Sequence, residues 1–165
     1  MNIKPQATGE LTKLGELIED MRIAMLTTFE DDEEALMSRP MSALEMCEKG
    51  AIWFLTDPNS HKVQHLQVMN LAFSNESDGT YVSISGHGEI EHDRERIKNL
   101  WTPFARPWFP DGIDSSNLAL LKFVPHNAEF WDATHSKMVR MVAMAASIVA
   151  AKPIGMGDHG NLNTL

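Results

Sequence analysis

The sequence predicts a mainly β (α+β) fold: a small antiparallel β-barrel with an N-terminal helix, short connecting helices and a C-terminal helix. Three observations carry this. Extended apolar runs recur at even spacing, turn-forming residues join them, and the helical patterns between them are short. The 165 residues show no internal repeat and no low-complexity tract, so they read as one domain over 1–165. A chain of this length buries about 70% of the surface exposed when unfolded, enough to fold without a metal or disulfide staple.

Taken in order, Leu11, Leu14, Leu17, Ile18 and Met21 recur at three- and four-residue spacing behind Thr8 and Gly9, which predicts an amphipathic helix. Ile23 to Phe29 is extended, and Ala35 to Met46 resumes the pattern after the acidic run Glu30 to Glu34. That run reads as a solvated hairpin turn rather than a metal loop. Lys49-Gly50 turns the chain into a strand from Ala51 to Thr56, which Asp57-Pro58-Asn59 stops. Ser60 can cap a short helix from His61 to about Met69. Strands follow over Leu71 to Asn75 and Tyr81 to Glu91. The second alternates clearly, with Val82, Ile84 and Ile90 on one face and Ser83, Ser85, His87 and Glu89 on the other. Gly86 and Gly88 fall on the apolar face, where a missing side chain marks a bulge, a bend or a close approach. A helix fits Asp93 to Trp101, an aromatic and proline-rich loop Thr102 to Ser116, and a strand Leu118 to Trp131. The last helix runs from Ser136 to about Ala151. Residues 155–165, with three glycines and two asparagines, read as a flexible tail, ordered only if docked.

The charge balance narrows the partners. With 14 Lys+Arg against 23 Asp+Glu, the formal charge is -9 at pH 7, which argues against nucleic acid and anionic membranes as partners. Any anionic ligand therefore needs a local basic cluster. A single cysteine, Cys47, rules out an intramolecular disulfide and suits a reducing compartment; beside the acidic Glu48 it reads as structural. No leader-like h-region and no membrane-length apolar stretch is evident, so a soluble, cytoplasmic protein is expected.

A candidate cluster exists. Ser38-Arg39-Pro40-Met41-Ser42 lies in one strand, and Thr56 and Ser60-His61-Lys62 lie at a strand-to-helix turn further on. Arginine, lysine, hydroxyls and a helix N-terminus together supply what a phosphate monoester needs. The solvated-surface reading of Arg39 and Lys62 stands beside it. His61 and His65 are one helical turn apart, with His87 and His92 on a neighbouring strand. No third ligand stands at a recognisable spacing, so no metal site is read. Trp101, Phe104, Trp108, Phe109 and Trp131 read as core or dimer contacts in preference to a cofactor cover.

On these residues the chain resembles the pyridoxamine 5'-phosphate oxidase-like superfamily of flavin-binding split barrels, and within it the general stress protein 26 branch. The matching stretches are MLTTFEDDEEALMSRPMSAL, IWFLTDPNSHKVQHL, WFPDGIDSSNLALLKF and VPHNAEFWD, spanning with the first helix most of residues 10 to 132. The resemblance implies an FMN-binding homodimer, with FAD possible, and flavin sites at the subunit interface. Arg39 and the backbone of Pro40, Met41 and Ser42 would then meet the phosphate and ring edge. Leu55 and Thr56 would lie along the isoalloxazine, Ser60, His61 and Lys62 would hold the phosphate, and Trp131 would approach from the partner.

Two departures matter. His61 stands where the family often has arginine, which implies weaker and more pH-dependent phosphate binding. After Trp131 comes Asp132-Ala133-Thr134-His135 in place of the Arg-x-His that grips pyridoxamine phosphate, so oxidation of that substrate is not expected. The resemblance thus implies a flavin-binding stress protein, an oxidoreductase or flavin reductase if it is an enzyme. The alternative is a non-enzymatic dimeric scaffold or flavin buffer on the same fold.

Overall fold

The structure is a computed structural model that describes residues 1–30, 35–132, 158–163 and 165. The elements are β1 (Asn2–Ile3), α1 (Gly9–Ile18), β2 (Ile23–Phe29), β3 (Leu36–Ser42), β4 (Glu45–Met46), β5 (Ile52–Thr56), β6 (Met69–Asn75), β7 (Thr80–Glu91), α2 (Arg94–Leu100), β8 (Ala119–Asp132) and β9 (Asp158–Asn163). No helix among the described residues is long and apolar enough to cross a membrane.

The sheet runs β1-β4-β5-β8-β7-β6-β2-β3, with β9 added beside β8. Its pairs are antiparallel except β1–β4, so it is a mixed sheet, not the all-antiparallel barrel the sequence suggests. Nor does a hydrogen-bonded ladder close it among the described residues: β1 and β3 end the path. The chain itself joins the two ends. The extended run expected over 35–46 breaks at Ala43-Leu44, where Ala43 N–H still donates to Arg22 O beside β2 while Leu44 N–H donates to Trp53 O on β5, both at 2.9 Å. Consecutive strands thus sit at opposite ends of the path, and the sheet curls until β3 touches β5.

The curl encloses the main core, including Leu26, Phe54, Leu71, Phe73, Ile84 and Phe123, and α1 contributes Leu11, Leu14, Leu17 and Ile18 to it. Thr8 caps α1 through its side-chain oxygen, which accepts from Leu11 N–H at 3.2 Å, and the Asp93 carboxylate caps α2. A second cluster on the other face of β5 and β8 gathers Trp53, Ile97, Phe109, Leu118 and Leu120. There the aromatic loop divides: Phe109 is buried, whereas Phe104 is 85% and Trp108 73% exposed. Glu45, buried on β4, accepts from Arg96 at 3.0 Å and pairs with Lys4 at 3.5 Å, tying the N-terminal strand and α2 to the sheet.

The helix expected from His61 to Met69 does not form. A single 3₁₀ turn, His61–Val63, replaces it. Ser60 does not cap it in the expected way, because its hydroxyl donates to Asp57 O at 2.6 Å. Beyond the turn, Leu66 O accepts from Gly88 N–H at 2.8 Å, which draws the chain onto β7, and Met69 is already the buried first residue of β6. The tail finds a dock, with Asp158–Asn163 pairing antiparallel to the C-terminal half of β8. The helix expected over 136–151 lies outside the described residues, as do Asp31–Glu34 of the acidic run. The strands flanking that run pair as antiparallel neighbours, and Glu30 N–H donates to Ala35 O at 3.0 Å.

β7 and β8 pair along their full lengths with a register shift at Ser85/Gly86. A Cβ on Gly86 would land on the Val124 carbonyl and 2.8 Å from the Phe123 ring, so the bulge and the close approach coincide. Gly86→Ala is therefore expected to destabilise the fold by about 1–3 kcal/mol through overpacking against backbone that cannot yield. Urea unfolding with an unchanged midpoint would contradict that account.

Candidate functional site

The curl determines what meets at its open edge. On β3, side chains alternate, with Met37, Arg39 and Met41 in register with buried Thr28, Leu26 and Ala24 of β2. Arg39 thus turns to the enclosed side, where its Nη1 donates to Thr28 Oγ1 at 3.0 Å. Pro40 and Ser42 are on the opposite, exposed face, and Met41 packs against the main core. β5 alternates likewise. Thr56, 1% exposed, shares the core face with Phe54, while Leu55 packs against the second cluster. Leu55 and Thr56 therefore cannot line one surface of the same chain.

The segment after β5 is a hydrogen-bonded turn. Asp57 accepts from Asn59 N–H at 2.8 Å through Oδ1 and from Asn117 Nδ2 at 3.1 Å through Oδ2, and its carbonyl takes the Ser60 hydroxyl. Ser60 O then accepts from Val63 N–H at 2.9 Å, closing the 3₁₀ turn that His61 opens. This holds Lys62 near Arg39. Burial first, then the Arg39 charge, push the Lys62 ammonium below the ordinary lysine value, with Asp57 pulling the other way. Burial also lowers the Arg39 pKa, opposed by Glu30. Among the described residues neither cation forms an ion pair within 4 Å. Two partly desolvated like charges held together are an arrangement that a bound anion would relieve.

Trp131 is elsewhere. It stands on the outer face of β8, 43% exposed, and stacks on His159 of β9 with ring centroids 5.2 Å apart. The described fold therefore brings Arg39, Thr56, Ser60 and Lys62 to one region and leaves Pro40, Ser42, Leu55 and Trp131 on other faces of the same subunit. Thr28 and Asn117 belong to the site's support and were not singled out in the sequence. Thr28 could have been found from strand register opposite Arg39, but nothing local in the sequence links Asn117 to a carboxylate sixty positions away.

Comparison with known proteins bears on this arrangement. The sequence profile of the family described as "Pyridoxamine 5'-phosphate oxidase like" matches residues 9–154. Protein bli-3 of Neurospora crassa is 24% identical over 157 residues, covering 87% of this chain and 75% of its own. A solved general stress FMN/FAD binding protein of Xanthomonas citri is 29% identical with a TM-score of 0.64, covering 79% of this chain and 93% of its own. A provisionally assigned general stress protein 26 from a Jannaschia species gives a TM-score of 0.69 at 25% identity, covering 93% of this chain and 98% of its own. These neighbours carry the split-barrel fold.

The Asp57 turn gives a pH prediction. The Asn59 N–H, then the Asn117 amide, hold the Asp57 carboxyl below the usual carboxylate range. A carboxyl depressed in the folded state contributes stability above its unfolded pKa of about 4 and loses it as pH falls through the folded value. NMR titration is expected to place Asp57 below an ordinary aspartate in the native chain and closer to it in Asn117→Ala. An ordinary value in both would show that the turn is not held this way.

Proposed function

The chain belongs to the pyridoxamine 5'-phosphate oxidase-like family, and from that premise we propose that it binds a flavin, FMN or the larger FAD, as a general stress protein of that family. One observation carries the reading: Arg39 on β3 and Lys62 on the 3₁₀ turn after β5 come together in an acidic chain, both partly desolvated and neither ion-paired within 4 Å among the described residues, a local deficit of negative charge. A phosphate monoester fits that deficit. In this reading Arg39 and Lys62 take the phosphate, and Ser60 and His61 of the 3₁₀ turn sit beside it. The Asp57 turn orients Lys62, and the Thr28 hydroxyl orients the Arg39 guanidinium. A bound flavin supplies hydride or single-electron transfer, while the chain's residues bind and position it.

The outward residues of the proposed set fit a homodimer. Ile23, Met25, Tyr81 and Trp131 are exposed apolar or aromatic side chains on the outer sheet face, together with Pro40 and Ser42. A second copy seated there would cover them and bring its Trp131 toward this chain's site. Oxidation of pyridoxamine phosphate is not part of the proposal, since Asp132-Ala133-Thr134-His135 offers no arginine to a second phosphate.

Titration of the protein with FMN and with FAD, followed by flavin fluorescence, tests the reading. Saturable quenching is expected, and the Arg39→Ala, Lys62→Ala double variant should lose about 2–4 kcal/mol of affinity, the scale of two charge-assisted hydrogen bonds. The free protein should not suffer. A lysine whose folded pKa is lowered binds fewer protons folded than unfolded, so stability rises with pH just below the ordinary lysine value, and losing the charge is neutral or stabilising. Lys62→Met is therefore expected to keep or raise Tm while weakening flavin. No saturable quenching by either flavin would leave the non-binding scaffold as the better account.

A further inference from the structure

The β7–β8 ladder has a second consequence, independent of flavin. Gly86 faces Pro125 and Ser85 faces Asn127, so His126 is the extra residue of the bulge and has no cross-strand partner. A bulge re-aims the side chain it frees. Here the exposed His126 ring comes beside His87, with centroids 4.9 Å apart and planes tilted by 44°. His87 Nδ1 and His126 Nε2 are 2.8 Å apart. The far nitrogen of His87, Nε2, lies 3.6 Å from Glu89 Oε1, and the Lys122 ammonium fixes the other Glu89 oxygen at 2.7 Å.

We propose that His87 Nδ1 and His126 Nε2 form a surface site for a divalent transition-metal ion of tetragonal preference, copper(II) or nickel(II), with water completing the coordination. Two ring nitrogens at this separation hold a single proton between them, and a metal ion replaces it. For a site of two imidazole nitrogens and water, affinity among first-row divalent ions peaks at copper(II), with imidazole also suiting nickel(II). Glu89 occupies the place of the carboxylate that orients a metal-bound imidazole through its other nitrogen, leaving Nδ1 as the ligand. Among the described residues no group of three or more His, Cys, Asp or Glu is placed to hold a metal, which leaves the remaining positions to solvent.

The sequence placed His87 with His92, one residue past the end of the same strand. His126 escaped notice because only a one-residue change of register puts it beside His87.

The test is calorimetric titration of the full, untagged chain with nickel(II), and electron paramagnetic resonance with one equivalent of copper(II). One saturating equivalent is expected, with an axial copper spectrum and nitrogen superhyperfine splitting. His126→Ala and His87→Ala should each weaken binding at least about tenfold, and Glu89→Gln about tenfold through the ligand it orients. Nitrogen-detected NMR of the histidine rings checks the assignment without any substitution, since substoichiometric copper(II) should broaden His87 and His126 first. Equal affinity in the His87→Ala, His126→Ala variant, first broadening at other histidines, or tighter binding of zinc than of copper(II) would each overturn the site.

Discussion

The constraint on which the rest depends is the continuity of the chain between Ser42 and Glu45. These residues are three Cα steps apart, at most about 11 Å. β3 and β4, which they belong to, lie at opposite ends of the sheet path, six strand spacings apart, about 29 Å if the sheet were flat. The sheet can satisfy both only by curling. The Ala43-Leu44 step, hydrogen-bonded to Arg22 on one side and Trp53 on the other, therefore does the work of a closing ladder without being one. It also accounts for the break in an otherwise continuous extended run, because residues past Ser42 pair with a different part of the sheet.

The candidate site is a product of the same curl. Arg39 and Lys62 belong to segments whose shared surroundings exist only once β3 has met β5. Holding two cations together and partly out of water opposes folding, and the fold offsets it locally, through the Thr28 hydroxyl on Arg39 and the Asp57 turn before Lys62. On the proposed reading this is preorganisation: the scaffold would bear the electrostatic penalty beforehand, so that an arriving anion would meet charges already in place. A net charge of -9 makes the feature more conspicuous, since the field of the whole molecule repels anions, the ligand class proposed for this small region.

Where local physics decides, the sequence was legible. Thr8 and Asp93 cap helices one residue after them, and Val82, Ile84 and Ser83 alternate as a strand with one wet face must. Where distant partners decide, it misled. Ser60 has the side chain of a helix cap, yet the pull of Leu66 onto Gly88 limits the segment to one 3₁₀ turn. Leu55 and Thr56 are neighbours along the chain but face opposite sides of β5, a direct result of the two-residue period of a strand.

By itself the sequence determined the composition of this protein's chemistry: an acidic chain with an arginine, a lysine and hydroxyls in two short motifs, and the capped helices and alternating strands to carry them. Family membership was legible there too, because the Arg39-Pro40-Met41 and Trp108-Phe109-Pro110-Asp111-Gly112 stretches stand in the sequence itself. Only the tertiary structure decided which of those residues share a surface. That depends on strand order and register, which hydrogen bonds between distant segments set. A shift of one residue at Ser85/Gly86 was enough to pair His126 with His87, and no local propensity encodes such a shift.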